Sequence, residues 1–407
     1  MMDSPEARSP SGVPWLFGRQ GLSLLALLTA IAATFLATDV TYLAGALLLV
    51  GLAARAWARV AFARVTYTRS TSRRRAFAGD ELTLESTLAN PRPLPLPWVE
   101  VWELLPAALG LDRLSERSFA EPDRVWVSRG VALWPYQRLR WRRKLTCSRR
   151  GVFVLGDIKL RTGDPFGFFE RERQLRDGLE LLVYPHVVRL RRLGLPLRHP
   201  SIDAVTASSP VADPTRTATI RDYRPDDPRR LIHWPTTARR GSLQVRVLEP
   251  ATSLHVSLLL DVHGFSFGVY QSELLELTLS ALASIGVYLQ GKGAPVALLA
   301  NTNPPLVIPP GASVPHLQHV LECLARLRPR PGPALVPWAL GQLPRGNTVL
   351  LAASDVSADL RHSIVHLQED GFTVVSLVAM TRSRSSPLAS VAITPGCDLA
   401  AVLEGRA

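Results

Sequence analysis

The amino-acid sequence predicts a multidomain protein with an N-terminal transmembrane helical hairpin, an antiparallel β-sandwich-like domain and a C-terminal α/β domain. Two uncharged apolar runs near the N-terminus predict the hairpin, and short segments of alternating polarity predict the sandwich. Apolar strands that alternate with helical stretches predict the α/β domain. At 407 residues the chain is long enough for a small membrane module and two or three soluble cores. The predicted parts are residues 1–62 (hairpin), 63–190 (β-rich domain), 191–250 (an arginine-rich segment) and 251–407 (α/β domain).

The charge balance limits the classes of partner. The formal net charge is +13, but the arginines are scattered along the whole chain. Nucleic-acid-binding proteins concentrate basic side chains on one face, interleaved with aromatic residues, so we do not expect a nucleic-acid partner. Cys147, Cys323 and Cys397 form no CxxC pair, which argues against a disulfide framework or a zinc site.

The hairpin is predicted from two apolar spans, at about residues 16–37 and 40–57, separated by Asp39. One continuous helix would place Asp39 near the centre of the bilayer, at high energetic cost. Arginines flank both outer ends, and short basic flanks remain on the cytoplasmic side. We therefore predict a multi-pass protein of the cell (inner) membrane with the lipid bilayer as a partner and both termini cytoplasmic. A cleaved signal peptide is the alternative.

The region from residue 63 to 190 has the period-two alternation of β-strands. Examples are 81–88, 98–105 and 151–160, and prolines and glycines interrupt the pattern every ten to twenty residues, as in antiparallel sandwiches. The string DPFGFFE, Asp164 to Glu170, is rich in turn formers and aromatics. It predicts a tight turn that covers the end of a sheet, or else a recognition loop.

The stretch RDYRPDDPRRLIHWPTTARRG, Arg221 to Gly241, is the most distinctive part of the chain. Its prolines and aspartates predict a turn, followed by a short helical turn that stops at Trp234 and a second short helix from Thr237 to Arg240. A structural Arg–Asp network, a docking surface and an active site are the alternatives for its function. The candidate docking residues are Arg221, Tyr223, Arg224, Asp226, Asp227, Arg229, Arg230, His233, Trp234 and Arg239.

The residues after Pro250 alternate between apolar strands and helices. Strands are predicted at 254–262, 294–300 and 348–354, and helices at 270–289, 314–327 and 358–369. This alternation is typical of a parallel sheet that is covered by helices on both faces.

The arginine-rich motif, together with DPFG, VYP and the N-terminal hairpin, resembles the family called domain of unknown function 58, DUF58. Two positions depart from the family pattern: Pro225 stands where a glycine is usual, and Pro235 stands where a lysine is usual. Pro235 lacks both a cation and a backbone donor, so phosphate binding at that position is not expected.

The resemblance also implies a von Willebrand factor A-like C-terminal domain. In that fold an Asp-x-Ser-x-Ser signature holds a divalent metal such as Mg²⁺ above the first strand. Here Asp261 is present, His263 replaces the first serine, and Ser266 is displaced by one position. Weak Mg²⁺ binding through Asp261 and Asp355 and a capping role for Asp261 are therefore alternatives.

The function predicted from these features is a membrane-anchored, cytoplasm-facing interaction scaffold rather than an enzyme. No phosphate-binding loop or nucleophile elbow occurs in the sequence. The resemblance implies a MoxR-type AAA+ ATPase as a protein partner in the assembly or maturation of other proteins. The alternatives are a hydrolase that uses His233 with Asp226 or Asp227, and a binder of polyanions or lipid headgroups.

Overall fold

The structure, a computed structural model, forms two compact units, Met1–Tyr184 and Pro185–Ala407. The residues that it describes are 19–34, 38–111, 118–121, 123–195, 212–224, 227, 229–250, 256–266, 271–344, 347–354, 360–381 and 390–406. The four-part division predicted from the sequence stays a prediction.

The first unit begins with two apolar helices, α1 (Arg19–Thr34) and α2 (Thr38–Val60). In α2 the small residues Ala44 and Gly51 are buried, whereas Leu43 and Leu49 are more than 60% exposed. In a soluble protein the large apolar side chains of a helix are buried and the small ones are often exposed. The reverse pattern in α2 suits a helix that is surrounded by lipid. Asp39 lies in the first turn of α2 rather than before it. The ends of the predicted first span, residues 16–18 and 35–37, lie outside the described residues.

The two apolar helices indicate membrane association. By length and composition, α2 is able to cross a bilayer, and only 17% of its most apolar window is buried in the protein. The helix Gln271–Gly291 passes the same test, but 67% of its window is buried, so it is a core helix of the second unit. At 1.5 Å per residue, α1 is about 24 Å long, which is somewhat short of the hydrocarbon core.

The rest of the first unit is β-structure. The strands are β1 (Thr66–Thr71), β2 (Arg75–Phe77), β3 (Glu81–Ala89), β4 (Leu96–Pro106), β5 (Leu109–Leu111), β6 (Ser118–Glu121), β7 (Arg124–Leu133), β8 (Arg138–Cys147), β9 (Gly151–Val154), β10 (Ile158–Gly163), β11 (Glu170–Leu175) and β12 (Glu180–Tyr184).

Within the described residues these strands form sheets in the orders β1-β3-β8-β5, β11-β10-β4-β7-β6 and β2-β12-β9. The pairing is antiparallel except between β2 and β12. Leu88 and Trp141 of the first sheet share one apolar core with Val99, Leu133 and Leu160 of the second. The alternation of polarity therefore predicted the strands because one face of each of these sheets is buried.

The second unit contains β13 (Ala212–Asp222), α3 (Trp234–Arg240), β14 (Gln244–Pro250), β15 (Val256–Leu260), α4 (Gln271–Gly291), β16 (Val296–Ala300), β17 (Leu306–Gly311), α5 (Val314–Arg326), α6 (Leu335–Leu340), β18 (Thr348–Ser354), α7 (Leu360–Glu369), β19 (Thr373–Ala379), β20 (Val391–Ile393) and α8 (Leu399–Leu403).

The main sheet of this unit has the order β17-β16-β15-β18-β19-β20 in the part of the chain described here. All pairs are parallel except β16 with β17. On one face, Leu259 packs in a cluster with Ala339 of α6 and Leu367 of α7. On the other face, Gly286 of α4 lies near Leu258. The prediction of an α/β sheet covered on both faces is thus confirmed.

Candidate functional site

The stretch Arg221 to Gly241, called the arginine-rich segment from here on, begins in the last residues of β13 and leads to β14, and these two strands form an antiparallel hairpin. Asp222 of β13 pairs with Gln244 of β14, and Arg221 pairs with Val245. Ile232 adds an isolated bridge to Val245, so the intervening chain folds back onto the hairpin. The segment is therefore a local structure closed at both ends by backbone hydrogen bonds.

Arg221 holds the turn through a bidentate ion pair with Asp227. Its Nη1 and Nη2 atoms donate to the two carboxylate oxygens of Asp227 at 2.7 and 2.6 Å, which is the strongest geometry for this pair. The backbone N–H of Arg224 also donates to Asp227, at 2.8 Å. The hydrogen bonds from Arg221 and then from Arg224 lower the pKa of Asp227, and those to Asp227 raise the pKa of Arg221.

Of the alternatives for this stretch, a structural Arg–Asp network is present between Arg221 and Asp227, and Arg224 contributes to it through its backbone N–H. Asp226 lies outside the described residues.

The helix α3 begins at Trp234, three residues earlier than predicted. A 3₁₀ turn from Arg229 to Leu231 precedes it. The stop expected before Pro235 does not occur because proline fits the first turn of a helix, where its missing N–H has no partner to lose. Gly241 ends the helix in the left-handed conformation, with φ of 70°, as predicted.

His233 serves as the N-cap of α3. Its Nδ1 atom accepts the backbone N–H of Thr236 at 3.3 Å and lies 2.7 Å from the hydroxyl oxygen of the same residue. The backbone N–H of His233 donates to the carbonyl of Gln244 at 2.8 Å. These bonds occupy one ring nitrogen in a structural role. The two carboxylate oxygens of Asp227 are bound by Arg221, so the described residues provide no base and nucleophile pair at this segment.

Gln244 is the residue that the sequence did not single out. Its side chain is fully buried, and its Nε2 atom donates to Asp222 and to the hydroxyl of Ser242. Its backbone N–H donates to the hydroxyl of Thr237 at 3.0 Å. Gln244 thereby ties α3 to both strands, and only the spatial closure of the hairpin reveals this role.

The remaining candidates form the exposed surface of the segment. Trp234 is 65% exposed, and Arg224, Arg229 and Arg239 are exposed as well, whereas Tyr223 is half-buried. The side chain of Arg230 lies outside the described part of the segment. Arg221 and Asp227 neutralise each other. Arg224, Arg229 and Arg239 outweigh the exposed carboxylate of Asp222, so the exposed part of the segment that the structure describes has a positive net charge. We call Arg224, Arg229, Trp234 and Arg239 the cationic surface.

The second candidate site lies at the carboxyl end of β15, where the strand order of the sheet reverses. Asp261 is almost fully buried, and its Oδ1 atom accepts the amide of Asn301 at 2.9 Å and the backbone N–H of His263 at 3.2 Å. The ring Nδ1 of His263 lies 3.1 Å from the same oxygen. Ser266 donates to the carbonyls of Val262 and Pro329.

The described part of this site does not fit Mg²⁺. A magnesium site needs oxygen ligands, but the Oδ1 atom of Asp261 is contacted by the nitrogen atoms of Asn301 and His263, and the hydroxyl of Ser266 is directed to backbone carbonyls. Among the residues that the structure describes, no group of three or more His, Cys, Asp or Glu side chains is arranged to hold a metal ion. Asp355, the other metal candidate, lies outside those residues.

The fold and the two sites define a multidomain protein with apolar N-terminal helices and an α/β unit that carries a cationic hairpin. Residues 219–367 match the model of the family described as "Protein of unknown function DUF58". The match begins in β13 and includes the arginine-rich segment.

A curated relative and several solved structures are also similar to the chain. The "Uncharacterized protein YeaD" of Bacillus subtilis (strain 168) is 27% identical over 313 residues, which cover 76% of this chain and 74% of the relative. Proximal thread matrix protein 1 from the mussel byssus has a TM-score of 0.28 at 12% identity, covering 38% of this chain and 46% of that one. A cohesin module of a Clostridium perfringens family 33 glycoside hydrolase has a TM-score of 0.21 at 12% identity. The match covers 29% of this chain and 96% of the cohesin module.

Proposed function

We propose that the protein is a membrane-anchored, cytoplasm-facing scaffold that binds a partner protein through the cationic surface. The observation that carries this proposal is the contrast between the inside and the outside of the arginine-rich segment. Arg221, Asp227, His233 and Gln244 are engaged in hydrogen bonds within the segment and its hairpin. Its outer groups include an exposed tryptophan among arginines, and these two residue types dominate the binding energy of protein interfaces.

The proposed topology places α1 and α2 across the inner membrane with both termini in the cytoplasm. Arg19 at the start of α1 and Arg55 and Arg59 near the end of α2 support this orientation, since short basic flanks stay on the cytoplasmic side. The cationic surface then lies in the compartment where cytoplasmic partners occur.

We further propose that the second unit contains a von Willebrand factor A-like domain and that the first contains a β-sandwich. The strand order β17-β16-β15-β18-β19-β20, with one antiparallel edge strand, supports the former, because it is a doubly wound arrangement with its switch point beside β15. The apolar core shared by two sheets of the first unit supports the latter. Asn301 and His263 contact the Oδ1 atom of Asp261 at the usual ligand position of such a sheet, which favours protein binding over metal binding as the function of this unit.

The proposed partner is a MoxR-type AAA+ ATPase, as the family resemblance implies. The chain has no phosphate-binding loop of its own, so work on client proteins requires an external source of nucleotide energy. The cationic surface predicts that the docking site on the ATPase is acidic.

A binding measurement with purified proteins tests this proposal. The full-length chain in detergent micelles is immobilised, and the MoxR-type ATPase of the same organism is titrated onto it. The triple variant Arg224→Ala, Arg229→Ala, Trp234→Ala removes outer groups and leaves the Arg221–Asp227 pair intact. Its control, Arg140→Ala with Arg142→Ala, removes exposed arginines from the first unit.

We expect the triple variant to weaken binding by about tenfold or more, which is the loss of about 1.4 kcal/mol, and the control to change it little. Absence of ATPase binding by the unaltered chain, or an equal loss in both variants, contradicts the proposal. Steeply salt-dependent binding of a soluble polyanion without any binding of the ATPase would instead favour a polyanion binder.

A further inference from the structure

Three loops of the first unit meet around the C-terminal end of α2. They are residues 90–95 before β4, 134–137 between β7 and β8, and 164–169 between β10 and β11. Strand register places them at one end of the sheet, since Leu96 pairs with Leu133 and Val99 pairs with Thr162. The loops are therefore neighbours in space although they are far apart in sequence.

Two of the loops contact the C-terminal end of α2 directly, and the loop 134–137 is bonded to the first of them. Arg92 donates from Nη2 to the carbonyl oxygen of Ala61 at 2.6 Å and from Nη1 to that of Val60. The guanidinium carbon of Arg55 lies 5.9 Å from the centre of the Phe169 ring. Arg55 follows directly on the uncharged run that ends at Ala54. Because a helix rises 1.5 Å per residue, Arg55 is only about 7.5 Å from Val60 along α2, so the loops lie level with the boundary of the apolar span.

Each of two loops exposes large aromatic side chains at this level. Trp134 is 70% exposed, Tyr136 is 72% exposed and Phe166 is 61% exposed. A single exposed aromatic residue is ordinary, but a group of them at one end of a domain marks an interaction site.

The exposure does not result from loose chain, because hydrogen bonds hold both loops. Asn90 donates from Nδ2 to the carbonyl of Trp134 at 3.2 Å, and the backbone N–H of Tyr136 donates to the carbonyl of Arg92 at 3.1 Å. The buried carboxylate of Asp164 accepts the backbone N–H groups of Phe166 and Phe169 at 3.0 and 2.6 Å.

Tyr136 also has a φ of 58°, a left-handed conformation that residues other than glycine rarely adopt. A conformation of this kind persists where the surrounding structure enforces it, and such positions cluster at functional sites. The backbone conformation and the exposed ring of Tyr136 thus point to the same function for its loop.

We propose that Trp134, Tyr136 and Phe166 insert into the headgroup region of the bilayer that holds α1 and α2. Tryptophan and tyrosine favour this depth because their rings have an apolar body and a polar edge. Nearby Arg55 and Arg59 add attraction for anionic lipid. The inference rests on the proposed membrane anchoring and extends it. The β-rich part of the first unit lies against the membrane in one orientation, with its three loops toward lipid and the opposite end of its sheets toward water.

The proposal is tested by measuring the depth of single fluorescent labels in vesicles. The full chain carries Cys323→Ser and Cys397→Ser, and the fully buried Cys147 is retained. A cysteine is introduced in separate proteins by Trp134→Cys, Phe166→Cys or Asp123→Cys and labelled with an environment-sensitive fluorophore. Asp123 is the matched control because it is exposed and precedes β7, whereas Trp134 follows the same strand, about 36 Å away at 3.3 Å per residue.

The vesicles contain phosphatidylcholine and phosphatidylglycerol, with a fraction of lipid that carries a nitroxide quencher on its headgroup. We expect the labels at positions 134 and 166 to be quenched about threefold or more relative to position 123, because interfacial side chains lie at the headgroup level. Two independent positions keep the test decisive if one variant fails to fold, which circular dichroism would show.

Equal quenching at positions 123, 134 and 166 in a chain that resists extraction by alkaline carbonate would overturn the insertion of the loops and leave the anchoring intact. The aromatic loops would then face water or another protein. Extraction of the unaltered chain by carbonate would overturn the anchoring itself and this inference with it.

Discussion

The side-chain amide of Asn301 donates to the Oδ1 atom of Asp261 over 2.9 Å, at the carboxyl ends of two adjacent parallel strands. The other end of the same amide accepts the backbone N–H of Val262 at 2.8 Å. Asn301 thus binds the carboxylate at the position where doubly wound sheets usually bind a ligand, and it does so with a nitrogen atom.

Replacement of Asn301 by alanine will destabilise the second unit. Asn301 is fully buried, so the variant leaves the Oδ1 atom of Asp261 and the N–H of Val262 without this partner. Buried groups deprived of a partner cost about 1–3 kcal/mol each. A drop of several degrees in the melting temperature of the full chain in detergent is expected, whereas the exposed control Gln368→Ala should leave the melting temperature within about 1 °C.

Magnesium will not stabilise the protein. A cation that bound only the folded state at about one hundred times its Kd would add about 2.7 kcal/mol, which a melting curve detects. We expect the same melting temperature in millimolar Mg²⁺ and in a chelator. A saturable increase that disappears in Asp261→Asn would show that the nitrogen atoms around Asp261 rearrange to admit the metal.

The two candidate sites show what the sequence was able to predict. Continuous apolar runs in the sequence predicted β18 at its observed bounds and α4 to within two residues at each end. They were informative because elements that are buried on both faces have a local apolar pattern. The position of Asp261 was also predictable, as it follows directly on an apolar strand. The functions of Asn301 and Gln244 were not, because each depends on partners that the fold brings together across a sheet or a hairpin.

The start of α3 shows a different limit. The rule that residues before proline avoid the helical conformation predicted a stop at Trp234, yet Trp234 is the first residue of the helix. Proline at the start of a helix is favoured, and His233 supplies the cap that makes this start stable. Two local rules disagreed, and the bridge of Ile232 to Val245, invisible in the sequence, fixes the chain before the helix.

Loss of the Arg221–Asp227 pair will loosen the arginine-rich segment. Asp227→Asn keeps the shape of the side chain and removes the charge that Arg221 binds. We expect trypsin to cleave after Arg229 and Arg230 at least about threefold faster at neutral pH, because cleavage follows local opening. Glu369→Gln, which removes an exposed carboxylate from α7, is the control, and equal rates in both variants would contradict the structural role of the pair.

The same pair gives a pH dependence of known sign. Hydrogen bonds from Arg221 hold the folded pKa of Asp227 below its ordinary value. The pair therefore stabilises the segment at pH values above the unfolded pKa of about 3.9 and loses this effect as the pH falls through the lower folded pKa. Carboxyl carbon shifts of Asp227 in the full chain should titrate at lower pH than in Arg221→Gln, and identical midpoints would refute the pairing.

Cys147 will be unreactive in the folded protein. Burial, with a contribution from nearby Asp80, raises the pKa of its thiol to about 11, and the side chain is fully buried. The thiolate is the reactive form, so at pH 8 only about one thiol in a thousand is ionised. Alkylation followed by mass spectrometry should modify Cys147 only after denaturation, and fast native modification would show that the core around it opens.

Arg92 will prove to be the main structural link between α2 and the β-rich part of the first unit. Its guanidinium is buried, which lowers its pKa, and it donates to the carbonyls of Val60 and Ala61 at the end of α2 and to Asn90 in the loop before β4. The C-terminal carbonyls of a helix lack internal partners and carry partial negative charge, so a cation there is favourable.

Arg92→Ala should lower the unfolding free energy by about 2–3 kcal/mol, because two carbonyls lose a charged partner. Arg92→Lys should recover only part of the lost unfolding free energy, since an ammonium group cannot reproduce the planar fork of the guanidinium. Thermal melts of the full chain give the comparison, with Arg142→Ala as an exposed control. If the Arg92→Ala and Arg142→Ala variants melt together, the end of α2 is held by the apolar contacts of Phe62 and Val65. In that case the loop end of the domain would be free to tilt away from the lipid.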